Sequence, residues 1–361
     1  MIAYAAENQK QNVINCWKTA FPNDSEPFVK FYFEKKYRNE DTLLYFKDEK
    51  MAASLQMLPY KMTYYGHFIN TSYISGAATV PQCQNQGLMK KLLVHAFKEM
   101  KKRGDVLTTL IPQEPWLIDY YKKFAYVPCF AYELSLIDKT VRFQSANNLI
   151  LRKLQTSDLQ KSYLFYKKHF EAQNLCVQKS YGDFAVMVEE CQLFEGNVYL
   201  LENEAELCGL CFCFFTNEKT VLKDCIAKNE DYQQYFLSKL AQKFNNQSVF
   251  LYSPVSQRIN SVFLGMARII DAPKMLALFA QAHPHLEFSV KITDDYISEN
   301  NVAFFISNGT CKDVACSVSA VDFELPVEKL TQLLLGCQIS SLEGKYAVFP
   351  EQYPYMSLML E

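Results

Sequence analysis

The run Ala77-Ala78-Thr79-Val80-Pro81-Gln82-Cys83-Gln84-Asn85-Gln86-Gly87-Leu88-Met89-Lys90-Lys91-Leu92-Leu93 passes from apolar to polar and back to apolar. Its first part reads as a strand that stops at Pro81, a residue with no N–H for a sheet ladder. Gln82 to Gln86 is a polar turn, and Gly87 opens a helix. Leu88, Leu92, Leu93, Ala96, Phe97 and Met100 recur every three or four residues and so share one helix face. Gly104 ends the segment, as a glycine after a helix does. A strand–turn–helix of this kind gathers unpaired amides at a helix N-terminus, which suits a pyrophosphate, and Gly87 has no side chain to obstruct it. The bland alternative is a plain connection between strand and helix. A dinucleotide fold is disfavoured, because G-x-G-x-x-G is absent and the preceding strands read as hairpins. No Gly-Lys-Ser/Thr occurs, so a P-loop is disfavoured as well.

Outward from this run the elements alternate. Asn12 to Phe21 and Phe28 to Tyr37 suit helices. Thr42 to Phe46 and Met51 to Leu58 are strands about the turn Lys47-Asp48-Glu49-Lys50, and Lys61 to Tyr65 and Phe68 to Val80 repeat the pattern about Gly66-His67. After the long helix come a strand at Val106 to Ile111, a helix at Pro115 to Phe124 and a strand at Tyr126 to Leu136. From Asn148 the order partly repeats: strand Leu149 to Leu154, helix from Thr156-Ser157-Asp158 to Phe170, strands Asn197 to Leu201 and Leu207 to Phe215, helix Asp231 to Asn245, strand Ser248 to Tyr252. A third segment starts near Asp271, with strands at Ser289 to Ile292, Val302 to Ile306 and Ala315 to Val321 and a helix at Pro326 to Leu335.

Composition narrows the function. With 361 residues, two or three domains are expected. The hydrophobic fraction is 49% and the charged fraction 21%, which is globular rather than disordered. A net charge of −2 offers no electrostatic case for nucleic acid or an anionic membrane. No apolar run reaches a membrane span, and Met1 to Glu7 does not read as a signal peptide. Many of the 12 cysteines sit inside apolar runs, Cys208, Cys211 and Cys213 among them. They read as reduced thiols packed as small hydrophobes in a cytoplasmic protein, and no metal site is expected. His283 and His285 flank Pro284 in a polar turn and read as solvated loop residues.

Gln84-x-x-Gly87-x-Met89, opening a helix after a strand, resembles the acyl-CoA-binding Q/R-x-x-G-x-G/A motif of the GNAT superfamily of N-acetyltransferases, with Met89 in place of the usual small residue. Tyr121-Lys-Lys-Phe-Ala-Tyr126 is similar to the Tyr-Gly-Arg-Phe-Gly-Tyr segment of the Eis (enhanced intracellular survival) acetyltransferases. Gly265-Met-Ala-Arg-Ile-Ile-Asp271 and Leu330-Thr-Gln-Leu-Leu-Leu-Gly336 resemble that family's later Met-x-Arg-Ile/Val-Val-Asp and Leu-Thr-Gln-Leu-Leu-Phe/Leu-Gly segments. The resemblance implies an α+β chain: a GNAT acetyltransferase domain at 1–137, a second, degenerate GNAT-like mixed-sheet domain at 138–272, and a sterol-carrier-protein-like α/β domain at 273–361.

It also implies an acetyl-CoA-dependent N-acetyltransferase acting on a small-molecule amine or a lysine side chain, with acetyl-CoA as co-substrate, and self-association. Backbone groups of Ala77, Ala78 and Thr79 would meet the pantetheine arm. Amides of Gln84, Asn85, Gln86, Gly87, Leu88, Met89 and Lys90 would hold the pyrophosphate. Trp116 and Leu117 would flank the arm, with Trp116 a core residue in the alternative. Tyr121 would be the acid that protonates the leaving thiolate, Tyr120 being its rival, and Glu361 would supply the terminal carboxylate as base. Asp24 and Glu26 could attract a cationic amine or be ordinary loop carboxylates. In the second unit Ile226-Ala-Lys-Asn-Glu-Asp231 has no glycine and two acidic residues, so no CoA is expected there. The competing function is a non-catalytic protein that binds CoA or a hydrophobic ligand.

Overall fold

The computed structural model describes residues 1–138, 148–204, 206–216, 218–244, 246–255, 261–314, 321–342 and 344–359. Its elements, in chain order, begin with β1 (Ile2–Tyr4), α1 (Lys10–Ala20), α2 (Glu26–Lys35), β2 (Thr42–Lys47), β3 (Lys50–Tyr64), β4 (His67–Thr79), α3 (Leu88–Arg103), β5 (Leu107–Leu110), α4 (Pro115–Lys122) and β6 (Val127–Leu136). Next are β7 (Leu149–Lys153), α5 (Leu159–Glu171), β8 (Val177–Gln178), α6 (Tyr181–Leu193), β9 (Asn197–Asn203), β10 (Glu206–Phe215), β11 (Lys219–Ala227), α7 (Glu230–Lys243) and β12 (Ser248–Pro254). The last are β13 (Ser261–Ile269), α8 (Ala272–Ala282), β14 (Phe288–Thr293), β15 (Ala303–Ser307), β16 (Thr310–Val314), β17 (Phe323–Pro326) and α9 (Val327–Leu334). They form two compact units, Met1–Phe130 with Leu264–Pro354 and Ala131–Phe263 with Tyr355–Glu361.

In the first unit the strands run β1-β2-β3-β4-β5-β13. Neighbours are antiparallel except β4 and β5, which are parallel. The β3–β4 hairpin turns on Tyr65 and Gly66, both with positive φ, the geometry that matches strand twist. Here the structure corrects the sequence: Met51 to Leu58 and Lys61 to Tyr65 are one strand. Pro59 does not break it: the first residue of β2 lies opposite Gln56, so Pro59 stands beyond the β2 pairing, and in the hairpin it faces Ser72 of β4. α3 packs on β2, β3 and β4 through the apolar face read from its spacing, with Leu92, Leu93, Ala96, Phe97 and Met100 fully buried. The later part of the unit adds a sheet β16-β15-β14-β17 with α8 and α9 against it. Of the strand expected at Ala315 to Val321, residues 315–320 lie outside the described residues.

In the second unit the order is β6-β12-β11-β10-β9-β7. β10 is buried on both faces. Leu210 and Phe212 pack with Phe170 and Phe184, while Cys211 and Cys213 pack with Tyr235, Phe236 and Leu240. This alternation is the two-residue period of a strand. Among the described residues no two cysteines form a disulfide. Periodicity missed α6 and β11. α6 is apolar nearly all round and so gives no stripe to read. Among the described residues no helix is long and apolar enough to cross a membrane.

Candidate functional site

β4 and β5 pair only from Thr71–Leu107 to Ile74–Leu110. β4 continues for five further residues to Thr79, so among the described residues Ser75 to Thr79 have no strand opposite them on the β5 side in this sheet. On the other side Ala78 and Thr79 pair with Ser54 and Ala53. Ala77, Ala78 and Thr79 therefore lie on a stretch of β4 with no strand beside it on the β5 side among the described residues.

The turn beyond Thr79 is held by its own polar groups. Gln84 Nε2 donates to Thr79 O at 3.3 Å, Gln86 Nε2 to Gln82 O at 3.1 Å and Lys47 Nζ to Gln86 Oε1 at 2.6 Å. Asn85 and Gly87 take positive φ, 60° and 71°. The first helical bond of α3 runs from Lys91 N to Gly87 O, 3.2 Å. The amides of Leu88, Met89 and Lys90 precede it, and such first-turn donors have no partner within the helix. A Cβ at Gly87 would meet nothing within 4 Å, so the space in front of these amides is open. A cleft of about 560 Å³ adjoins it, lined by Gly87, Lys90, Lys91, His95 and Lys98. The residues present fit a polyanion: unpaired amides, the positive end of a helix, three lysines and a free strand edge. Sequence reasoning missed Lys91, His95 and Lys98. Their spacing, on the polar side of α3, was the available signal.

Below the free edge, β4 bulges. Ser54 pairs with Ala78 and Gln56 with Ser75, so Leu55 alone faces both Gly76 and Ala77. Gly76 has φ 56°, and a Cβ on it would lie 2.5 Å from Trp17 Cζ3 and 2.8 Å from Gln56 Nε2. Only glycine fits. The Tyr32 hydroxyl donates to Gln56 Oε1 at 3.0 Å and lies 2.7 Å from Ser75 Oγ. Gln56 Nε2 is buried with no hydrogen-bond partner among the described residues. None of this cluster was singled out from the sequence, because it depends on the register of two strands.

Tyr121 lies on α4 and is buried, 7% exposed. Its ring meets Tyr126 edge-on at 5.8 Å and Tyr120 at 5.3 Å. Burial raises its pKa well above that of a free tyrosine, and Tyr126 and Tyr120 add to the shift. It is a neutral phenol at any ordinary pH, able to donate a proton. Trp116, offered in one reading as core, is 66% exposed, because it stands in the first turn of α4, before the helix packs. Leu117 is half-buried. Asp24 accepts from Trp17 Nε1 at 2.7 Å and Glu26 pairs with Lys18 at 2.6 Å, so both have structural partners. Glu361 lies outside the described residues. The apolar tail before it is buried in the second unit at Met356 and Met359. Among the described residues no group of three or more His, Cys, Asp or Glu could hold a metal.

Comparison with known structures shows what this fold is similar to. A probable N-acyltransferase from Enterococcus faecalis has 12% identity and a TM-score of 0.80, covering 99% of each chain. Eis1 from Mycobacterium abscessus has 11% identity and a TM-score of 0.76, covering 99% of this chain and 97% of its own. A GCN5-related N-acetyltransferase from Anabaena variabilis has 17% identity and a TM-score of 0.75, covering 92% of this chain and 89% of its own. At such identities the likeness is one of fold. No curated protein matches the sequence. Residues 1–129, which carry the free strand edge, the turn, α3 and Tyr121, match the family model described as an acetyltransferase (GNAT) domain.

Proposed function

We propose that the chain is an acetyl-CoA-dependent N-acetyltransferase acting on a primary amine of a small molecule or a lysine side chain. The observation that carries this reading is the conjunction of unpaired amides at Leu88–Lys90 with the free β4 edge at Ser75–Thr79, inside a domain matching the GNAT family. Acetyl-CoA supplies an activated thioester whose carbonyl the amine attacks, leaving an amide and free CoA.

In this reading the protein's work is placement. The strand edge at Ala77, Ala78 and Thr79 pairs with the amide-bearing arm. The turn amides from Asn85 to Lys90, together with Lys91 and Lys98, hold the phosphates, while the Gln84 amide already donates to Pro81 O at 3.2 Å, and Trp116 and Leu117 flank the arm. Fixing two substrates in one geometry accounts for most of the rate. Tyr121 gives its proton to the departing sulfur, and Glu361 takes one from the attacking amine. Such groups contribute ~10²–10⁴-fold each. The catalytic domain is residues 1–137, with 138–272 as a scaffold that binds no CoA and 273–361 as a third, sterol-carrier-like domain.

Isothermal titration of acetyl-CoA, followed by a mass-spectrometric screen of amines, tests the reading. Binding at one site per chain and acetylation of at least one amine are expected. Absence of binding overturns it. Binding without transfer to any amine shifts the reading to a CoA-binding protein.

A further inference from the structure

Two segments that the sequence singled out separately, Tyr121–Tyr126 and Gly265–Asp271, meet in the first unit. Their meeting point is Arg268 on β13, whose side chain is fully buried. Its Nε donates to Phe124 O at 2.9 Å, its Nη1 to Ile269 O at 2.8 Å and its Nη2 to Asp294 Oδ1 at 2.6 Å. The guanidinium lies over the Phe97 ring at 4.3 Å and near Tyr296 at 5.9 Å. Asp294 is fixed in turn: its Oδ1 accepts from the amides of Tyr296 and Ile297, and its Oδ2 from Asn300 Nδ2 at 2.9 Å. A second bond runs parallel, from the Tyr296 hydroxyl to Lys123 O at 2.7 Å.

Both recipient carbonyls, Lys123 O and Phe124 O, belong to the turn that ends α4. The same turn is tied back to Tyr121, whose carbonyl accepts from Phe124 N at 2.9 Å and Tyr126 N at 3.3 Å. Ala125 takes the strained φ of 61° between them. The Tyr126 ring, held by its hydroxyl 3.2 Å from Thr108 Oγ1, then forms one wall against the Tyr121 ring. A buried ion pair is a poor source of net stability, since apolar residues of the same volume do as well or better. A rigid fork bonded to three fixed acceptors provides direction instead.

We propose that Arg268, backed by Asp294 and Tyr296, is a positioning residue: it clamps the 123–126 turn and so sets where the Tyr121 hydroxyl stands. This rests on the acetyltransferase reading for its kinetic consequence only; the clamp itself is a property of the fold. A misplacement of about 1 Å in such a site costs on the order of 10²-fold in rate.

The test compares Arg268→Lys, which keeps the charge and loses the fork, with Arg268→Met/Asp294→Leu, which removes the pair and leaves no unpaired buried charge. Each is made in the full chain, alone and with Tyr121→Phe. Expected is a fall in kcat on the order of 10²-fold, with KM for acetyl-CoA unchanged within about twofold and almost no further fall in the Tyr121→Phe background. A fall of equal size in that background, or an unchanged kcat, overturns the proposal, because a merely structural role multiplies with any other loss. Hydrogen exchange provides an arm independent of activity. Amides 121–126 should exchange about tenfold faster while those of α3 do not change; unchanged exchange at 121–126 overturns the clamp. If the unsubstituted chain transfers no acetyl group, the acetyltransferase reading fails and the exchange arm decides the clamp by itself. If the double variant does not fold, Arg268→Lys carries both arms.

Discussion

Gly87 and Gly76 both take a positive φ, yet they are needed for different reasons. At Gly87 a methyl group meets nothing, so Gly87→Ala adds only the left-handed backbone cost, about 1–2 kcal/mol, and weakens acetyl-CoA binding. At Gly76 the methyl runs into the Trp17 ring and the Gln56 amide, so overpacking of about 1–3 kcal/mol is added to the same strain. Denaturant unfolding of the two variants should show Gly76→Ala as the more damaged; equal losses would contradict the crowding argument. Tyr121→Phe removes the hydroxyl and keeps the packed ring. Its expected effect is a fall in kcat of about 10²-fold or more with KM for acetyl-CoA unchanged; a kcat equal to that of the unsubstituted chain removes Tyr121 from the mechanism. Tyr121 was marked only by resemblance to a motif tyrosine, whereas the place of Gly87 at the start of α3 was legible in the sequence because a helix-opening glycine is a local feature. Gly76 was not, because nothing local tells which glycine will face Trp17.

At the scale of elements, the contrast is between two helix N-termini that follow strands. α3 opens with no side-chain cap and a glycine. α7 opens with Asn229, whose side chain accepts from Tyr232 N at 2.9 Å, and with Glu230 and Asp231 in the first turn. Asn229 satisfies an amide that a phosphate would need, and the two carboxylates repel it. Calorimetric titration of CoA should therefore saturate at one equivalent per chain, and Asn229→Gly should leave it at one. A second equivalent in either protein would show that the acidic turn does not exclude phosphate. The acidic pair was read from the sequence, and the cap adds the geometric part. β13 was not anticipated, because Gly265 to Ile269 are buried on both faces and give no alternation; α8 was missed although Ala272, Met275, Leu276, Phe279 and Ala280 recur at helical spacing.

At the scale of the whole molecule, titratable groups set the pH limits of folding. In the second unit Arg152 binds Asp158 and Glu202, with Lys161 beside them. Bonding to Arg152 holds both carboxyls below their usual range. A carboxyl whose folded pKa is depressed adds stability that is present above its unfolded value, near 4, and lost as pH falls below it. The tyrosines act with the opposite sign. Burial raises Tyr32, Tyr64, Tyr121 and Tyr126 in the first unit and Tyr166 and Tyr355 in the second. Their contribution is complete below the unfolded value near 10 and is lost as pH rises through the folded values. Two further kinds of group narrow the window: burial holds His169 and His283 below their usual value, which costs stability as pH falls below about 6.5, and holds the Cys176, Cys191 and Cys211 thiols above theirs, which costs it as pH rises above about 8.5. Stability against urea should therefore be greatest between about pH 6.5 and about pH 8.5 and fall further below about pH 4 and above about pH 10. Arg152→Ala should cost about 1–3 kcal/mol at pH 7, between the values of exposed and buried pairs, and should flatten the acid limb. An acid limb of unchanged steepness would mean that this cluster does not govern it.

The sequence by itself determined the strand–turn–helix at 77–103, the apolar face of α3, its glycine stop, the polar hairpin turns and the acidic turn at Asn229–Asp231. Each of these depends on residues a few positions apart, where φ preference, capping and periodicity act directly. Tertiary structure alone decided that β3 runs unbroken through Pro59, that β4 bulges at Gly76 and parts from β5 after Ile74, that Trp116 stands exposed, and that Arg268 reaches the turn after Tyr121. These depend on register between strands and on burial of one segment by another far away in sequence. A buried arginine is tolerable only when its partners arrive from elsewhere in the chain, and no local pattern states that Asp294 and Phe124 O will be there.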